Sequence, residues 1–121
     1  NIFGNVALEA AYNYGEQWLD ELLEYLAGNI EIITEYFNKR IPGIHFIKPE
    51  GTYLAWLDCR ELPVANDRIN RFMVEKAGVG MNEGASFGEN GTGFQRLNFG
   101  CPRKTLKTAL ENIELAVKKI H

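Results

Sequence analysis

The chain has 121 residues, 45% of them hydrophobic, with 13 Lys and Arg against 16 Asp and Glu for a formal net charge of −3. That length and apolar share suit one compact domain with a real core. The scattered cations argue against a nucleic-acid partner, and no run of about eighteen apolar residues is present to span a membrane.

Asn1 to Tyr14 reads as a short helix carrying Val6, Leu8, Ala10 and Ala11 and ending near Gly15. A long amphipathic helix is expected from about Glu16 to Lys39, because Trp18, Leu22, Leu26, Ile30, Ile33 and Phe37 recur in steps of three and four. Gly28 lies inside it, where a bend is expected, and Pro42-Gly43 ends it. Two extended runs follow, His45 to Lys48 and Thr52 to Asp58, separated by Pro49-Glu50-Gly51. The second is apolar on both faces, so a central strand covered on both sides is expected. Asn66 to Lys76 reads as a helix with Ile69, Phe72 and Met73 inward and Asn66 or Asp67 as its N-cap. Val79 to Met81 reads as a short strand and Phe94 to Phe99 as another. Pro102 opens a last helix with a stripe of Leu106, Leu110, Ile113, Val117 and Ile120. The order α-α-β-β-α-β-β-α predicts an α+β fold, a small sheet with helices packed against it.

The informative stretch is Gly84 to Phe99. Strand alternation puts Phe94, Arg96 and Asn98 on one face, and Gln95, Leu97 and Phe99 on the other. Leu97 and Phe99 are natural core residues, which leaves a guanidinium beside an amide and an aromatic ring. An Arg in mid-strand is costly to desolvate without a partner. Two readings follow: a planar donor fork gripping a carboxylate, or an Arg facing water or paired with Glu89 or Asp58.

Other signals are weaker. Gly78-Val79-Gly80 and Gly91-Thr92-Gly93 lack the features of phosphate loops and read as turns. Ser86 is the only serine, and His45 and His121 are remote from it, so no catalytic triad is expected. Tyr53 reads as core, with a pocket-facing hydroxyl as the alternative. The lysines lie at helix ends, on polar faces or, for Lys48, in a polar turn, and none looks desolvated. No metal-ligand spacing occurs, and Cys59 and Cys101 read as free thiols. The absence of a basic, apolar leader at the start fits a cytoplasmic protein. The first residue is not Met, which suggests a chain cut from a longer one.

Gly51-Thr52-Tyr53-Leu54-Ala55-Trp56-Leu57-Asp58, Gly84 to Gly88 and Phe94-Gln95-Arg96-Leu97-Asn98-Phe99-Gly100-Cys101-Pro102 resemble the C-terminal region of class I/II aminotransferase-like, fold-type I pyridoxal-phosphate enzymes. Asn1-Ile2-Phe3-Gly4 and Trp18-Leu19-Asp20-Glu21-Leu22-Leu23 resemble the cystathionine β-lyase and cystalysin branch, the C–S lyases. The resemblance covers essentially the whole chain. It implies a C-terminal small domain over residues 15–121, with an interdomain helix at about 16–39, and the tail of the large domain over residues 1–14. The family's carboxylate-binding arginine falls on Arg96, and Asn98 matches a supporting position.

The family's Schiff-base lysine, phosphate loop, pyridine-pairing Asp and stacking aromatic all precede the residue that matches Asn1. The chain alone is therefore expected to bind no pyridoxal 5'-phosphate covalently, to supply no catalytic or cofactor-binding residue, and to be inactive. The implied parent is a homodimeric lyase that cleaves the Cβ–S bond of cysteine derivatives to thiol, pyruvate and ammonia. An aminotransferase acting on an amino acid is the alternative. A stand-alone carboxylate-binding or structural module is the alternative of another class.

Overall fold

In a computed structural model, which describes residues 1–120, the apolar periodicities become four helices and four strands. They run α1 (Ile2–Tyr14), α2 (Glu16–Lys39), β1 (His45–Ile47), β2 (Leu54–Asp58), α3 (Ile69–Ala77), β3 (Asn82–Glu83), β4 (Phe94–Asn98) and α4 (Arg103–Val117). The strands form one sheet in the order β1-β2-β4-β3, every neighbour antiparallel. This is the α+β architecture that the element order predicts.

Alternation divides the sheet into two unlike faces. Ala55 and Leu57 of β2 and Gln95 and Leu97 of β4 are buried, beneath Leu26, Ile33 and Phe37 of α2, Ile69, Phe72 and Met73 of α3, and Leu106, Leu110, Ile113 and Val117 of α4. On the opposite face Leu54, Trp56, Asp58, Phe94 and Arg96 are half-buried and Asn98 is exposed. The sheet is therefore covered on one side among the described residues, whereas the apolar pattern of β2 predicts cover on both. Trp56 fills that second face with aromatic neighbours, stacking on Phe94 and meeting Phe87 edge-on.

Several boundaries move for physical reasons. Residues 79–81 form no strand, and the edge pairing begins at Asn82 opposite Arg96. Asn70, on α3, holds this run by donating to the Met81 carbonyl. Thr52 has φ +64, a left-handed value costly for a β-branched residue, so β2 starts after it at Leu54. The helix expected from Asn66 opens as a 3-10 turn, Asn66–Arg68, and neither Asn66 nor Asp67 caps it with a side chain. Gly78, at φ +65, ends α3 in a left-handed cap.

Helix α2 runs unbroken through Gly28. Its apolar stripe is buried at Leu26, Ile33 and Phe37, but Trp18 remains 66% exposed. Helix α1 buries no residue at all, and its start is capped by Asn1, whose side chain accepts from the Gly4 N–H. Ile2, Phe3, Tyr12, Tyr14, Trp18, Leu19 and Leu23 form a long apolar tract across α1 and the first half of α2. The described helices hold no segment long and apolar enough to cross a membrane.

Candidate functional site

Arg96 sits at the centre of β4, opposite Trp56 on one side and Asn82 on the other. Its face is dictated by the buried alternates Gln95 and Leu97, as alternation predicts. Three contacts then shape the guanidinium. Nη2 donates to Asn82 Oδ1 at 3.1 Å, and the Phe87 ring lies beneath it with Cζ 4.5 Å from the centroid. The third feature is a deficit: Nε is buried and has no hydrogen-bond partner. Among the described residues it is the one buried side-chain nitrogen or oxygen in that state. An unpaired buried donor costs about 1–3 kcal/mol.

The ordinary explanation for a strand arginine is an ion pair, and the structure removes both partners named for it. Asp58 is engaged by Arg60, whose Nε and backbone N–H both donate to Oδ1 and whose Nη2 donates to Oδ2 at 2.7 Å. Those hydrogen bonds hold the Asp58 carboxyl below its ordinary range, against a smaller opposing effect of burial. Glu89 makes no ion pair with Arg96. Elsewhere Arg40 pairs with Glu114 and Arg71 with Glu75. Arg96 instead rests against an amide and a ring face, neither of them a carboxylate.

Two backbone devices hold Phe87 in place. The loop from Gly84 to Gly93 turns twice through 3-10 geometry, and Gly88 adopts φ +134, ψ +161, open only to glycine. Ser86 is structural, since its Oγ donates to the Glu83 carbonyl at 2.6 Å. Asn98 shares the Arg96 face, but its Oδ1 accepts from the Gly100 N–H at 2.9 Å, shaping the chain after β4. Tyr53 is half exposed rather than core, and its ring packs against Gly100.

The other sequence candidates fall away from this face. His45 pairs with Glu61 on the surface at 2.8 Å, and His121 lies outside the described residues. Cys59 and Cys101 are free thiols, and the described residues hold no metal-binding cluster. No lysine lies on β2, β3 or β4. A groove of about 570 Å³ runs between Gly78–Gly80 and α4, with Leu97, Asn98, Cys101 and Lys104 in its walls. Arg96 does not line it.

Sequence reasoning missed Asn82 and Phe87, the two residues that touch the guanidinium. Asn82 was readable in principle as the polar residue next to a strand-like run. Phe87 reaches Arg96 through a loop whose path no periodicity reveals.

The site is thus a half-buried arginine with an orphaned donor, on the open face of a small antiparallel sheet backed by helices. No family model matches the chain. It is 35% identical over 117 residues to the cystathionine beta-lyase PatB of Bacillus subtilis, covering 97% of this chain and 30% of that protein. The structure superimposes on cystalysin from Treponema denticola, which contains pyridoxal 5'-phosphate, with a TM-score of 0.93 at 33% identity, over 98% of this chain and 30% of that one. A pyridoxal-phosphate-bound protein from Clostridium difficile 630, assigned as an aminotransferase, matches with a TM-score of 0.91 at 44% identity, over 97% of this chain and 30% of that one. The chain belongs to the fold-type I, aminotransferase-like pyridoxal-phosphate enzymes, as their C-terminal small domain. Within them it falls on the cystathionine β-lyase and cystalysin branch. It spans about 30% of the length of the relatives it matches.

Proposed function

We propose that this chain is the substrate-gripping small domain of a pyridoxal-phosphate-dependent C–S lyase that cleaves the Cβ–S bond of cysteine derivatives to thiol, pyruvate and ammonia. The observation that carries the reading is the orphaned Nε of Arg96, on a guanidinium that no acidic side chain neutralises. Relatives named a cystathionine beta-lyase and a C–S lyase supply the reaction class. In the same reading residues 1–14 end the large domain, residues 15–121 form the small domain, and the whole enzyme is a cytoplasmic homodimer.

The residues around Arg96 fit the carboxylate end of the substrate and not the cofactor. They offer a donor fork and no lysine. Pyridoxal 5'-phosphate, when bound, supplies an electron sink for the carbanion at Cα. This chain's share of the work is orientation. A carboxylate held by two parallel hydrogen bonds cannot rotate, so the Cα–H bond can be fixed at the angle the chemistry needs. Asn82 and Phe87 fix the guanidinium in turn, so it is organised before substrate arrives. Asn98 supports it indirectly by shaping the turn at Gly100.

A second reading, an aminotransferase, is favoured by the 44% identical Clostridium difficile protein. It uses Arg96 identically. In the enzyme that carries this chain, Arg96→Ala should raise KM for amino acids sharply and lower kcat/KM, with Arg96→Lys rescuing little because a point charge cannot replace the fork. Near-native kinetics for Arg96→Ala would overturn the assignment. Pyruvate and free thiol from a cysteine thioether separate lyase from aminotransferase.

A further inference from the structure

Helix α2 meets the end of β4 through a polar contact that the carboxylate grip itself does not use. Asn29 is fully buried in the apolar face of α2. Its Nδ2 donates to the carbonyls of Phe99, at 3.0 Å, and Cys101, at 3.2 Å. Its Oδ1 accepts from Arg103 Nε at 3.3 Å. The Arg103 guanidinium lies over the Tyr25 ring, 4.4 Å from Cζ to centroid, while the Arg103 backbone N–H donates to Tyr25 Oη at 2.8 Å. This guanidinium occupies the place a side chain at position 28 would take, since a Cβ on Gly28 would overlap Arg103 Nη2. Gly28 is thus an opening for Arg103.

An apolar contact lets a helix slide over its neighbour at little cost. Two hydrogen bonds from one amide to carbonyls two residues apart permit neither sliding nor rotation. The locked segment is also mechanically close to the grip. Phe99 follows Arg96 by three residues, about 10 Å along a strand. Its own N–H donates to the Tyr53 carbonyl at 2.9 Å, tying β4 to the start of β2. A displacement of Phe99 therefore shifts Arg96 against Trp56.

We propose, resting on the reading of Arg96 given above, that Asn29 and Arg103 are positioning residues that fix the register of α2 against the end of β4 and so place the Arg96 guanidinium where the substrate carboxylate docks. They touch neither substrate nor cofactor. Because the carboxylate contact both holds the substrate and sets the angle of its Cα–H bond, its misplacement raises KM and lowers kcat/KM.

The test is steady-state kinetics of the enzyme that carries this chain. Arg103→Ala should raise KM for the amino-acid substrate and lower kcat/KM about tenfold, within the range that small misplacements reach. Arg103→Lys should not rescue it, because a lysine has neither the Nε donor nor the flat face over Tyr25. Gly28→Ala should raise KM in the native background and do nothing once Arg103 is already Ala. An unchanged KM in Arg103→Ala, or an equal Gly28→Ala effect in both backgrounds, overturns the proposal. Should Arg103→Ala fail to fold, Gly28→Ala alone decides: a native KM in that variant also overturns it. Arg96→Ala, run alongside, separates the two ideas. If it is near native, the carboxylate reading falls; if it is impaired while KM in Arg103→Ala and Gly28→Ala is native, only the positioning role falls.

Discussion

Gly84 and Gly91 face each other backbone to backbone, so closely that a Cβ on either would overlap the carbonyl oxygen of the other. This contact closes the loop that carries Phe87 to the face of the Arg96 guanidinium. Gly84→Ala or Gly91→Ala forces the two strands of the loop apart. The expected cost is about 1–3 kcal/mol, the range for overpacking a tight site. Thermal unfolding should register the loss, and near-UV circular dichroism should register the separation of Phe87 from Trp56. A native melting curve and spectrum in both variants would show that the loop is not closed in this way.

Two carboxylates predict how stability falls with acid. Lys118 and Arg40 donate to the two oxygens of Glu114, at 2.5 and 2.6 Å, and hold its carboxyl below the usual range. Arg60 does the same for Asp58. A lowered folded-state value means that the stabilisation is complete above the unfolded value of about 4 and is lost as pH falls through the folded value below it. Melting temperature should therefore be level at neutral pH and drop below about pH 4. Glu114→Gln combined with Asp58→Asn should flatten that drop while lowering stability at neutral pH. A drop of native steepness in the double variant would exclude these two groups as its source.

How far the sequence revealed this arrangement depends on the kind of signal. Period-two alternation located Arg96 and Asn98 on one face because Leu97 and Phe99 leave no freedom about which side is core. Period-four spacing located the buried half of α2 for the same reason. Asn29 escaped notice because an apolar stripe is read by its hydrophobic members, and an amide inside it registers as a gap. What Gly28 leaves room for, the guanidinium of Arg103, lies 75 positions away in the chain, so its local sequence context does not reveal it. A stripe also states which face needs burial without stating what covers it, so Trp18 looked like core and is exposed.

The two thiols should react very differently. Burial pushes the Cys59 thiol up to about 12, with the adjacent Asp58 charge adding to it. Cys101 is also raised by burial, but it is only half-buried, in the groove beside α4. Since the thiolate is the reactive form, a maleimide at about pH 8 should label Cys101 slowly and Cys59 not at all while the chain is folded. Intact mass before and after denaturant should show one label, then two. Rapid double labelling of the native chain would mean that the core around Cys59 opens readily.

Helix α1 gives the sharpest separation between stability and association. None of its residues is buried, and it is joined to α2 through Gly15 with no tertiary hydrogen bond to the sheet or to α4. Deleting residues 1–14 removes the exposed Ile2, Phe3, Val6, Leu8, Tyr12 and Tyr14 and leaves Leu26, Ile33, Phe37 and the sheet untouched. The shortened chain should keep its melting temperature within about 2 °C, because stability follows the area buried and this helix buries almost none. The same deletion should reduce binding of a hydrophobic dye and any concentration-dependent association, since contiguous exposed apolar surface drives both. Dye fluorescence and sedimentation, run on both lengths of chain, measure the second effect independently of the first. A large fall in melting temperature would place α1 within the cooperative unit and contradict its lack of buried residues.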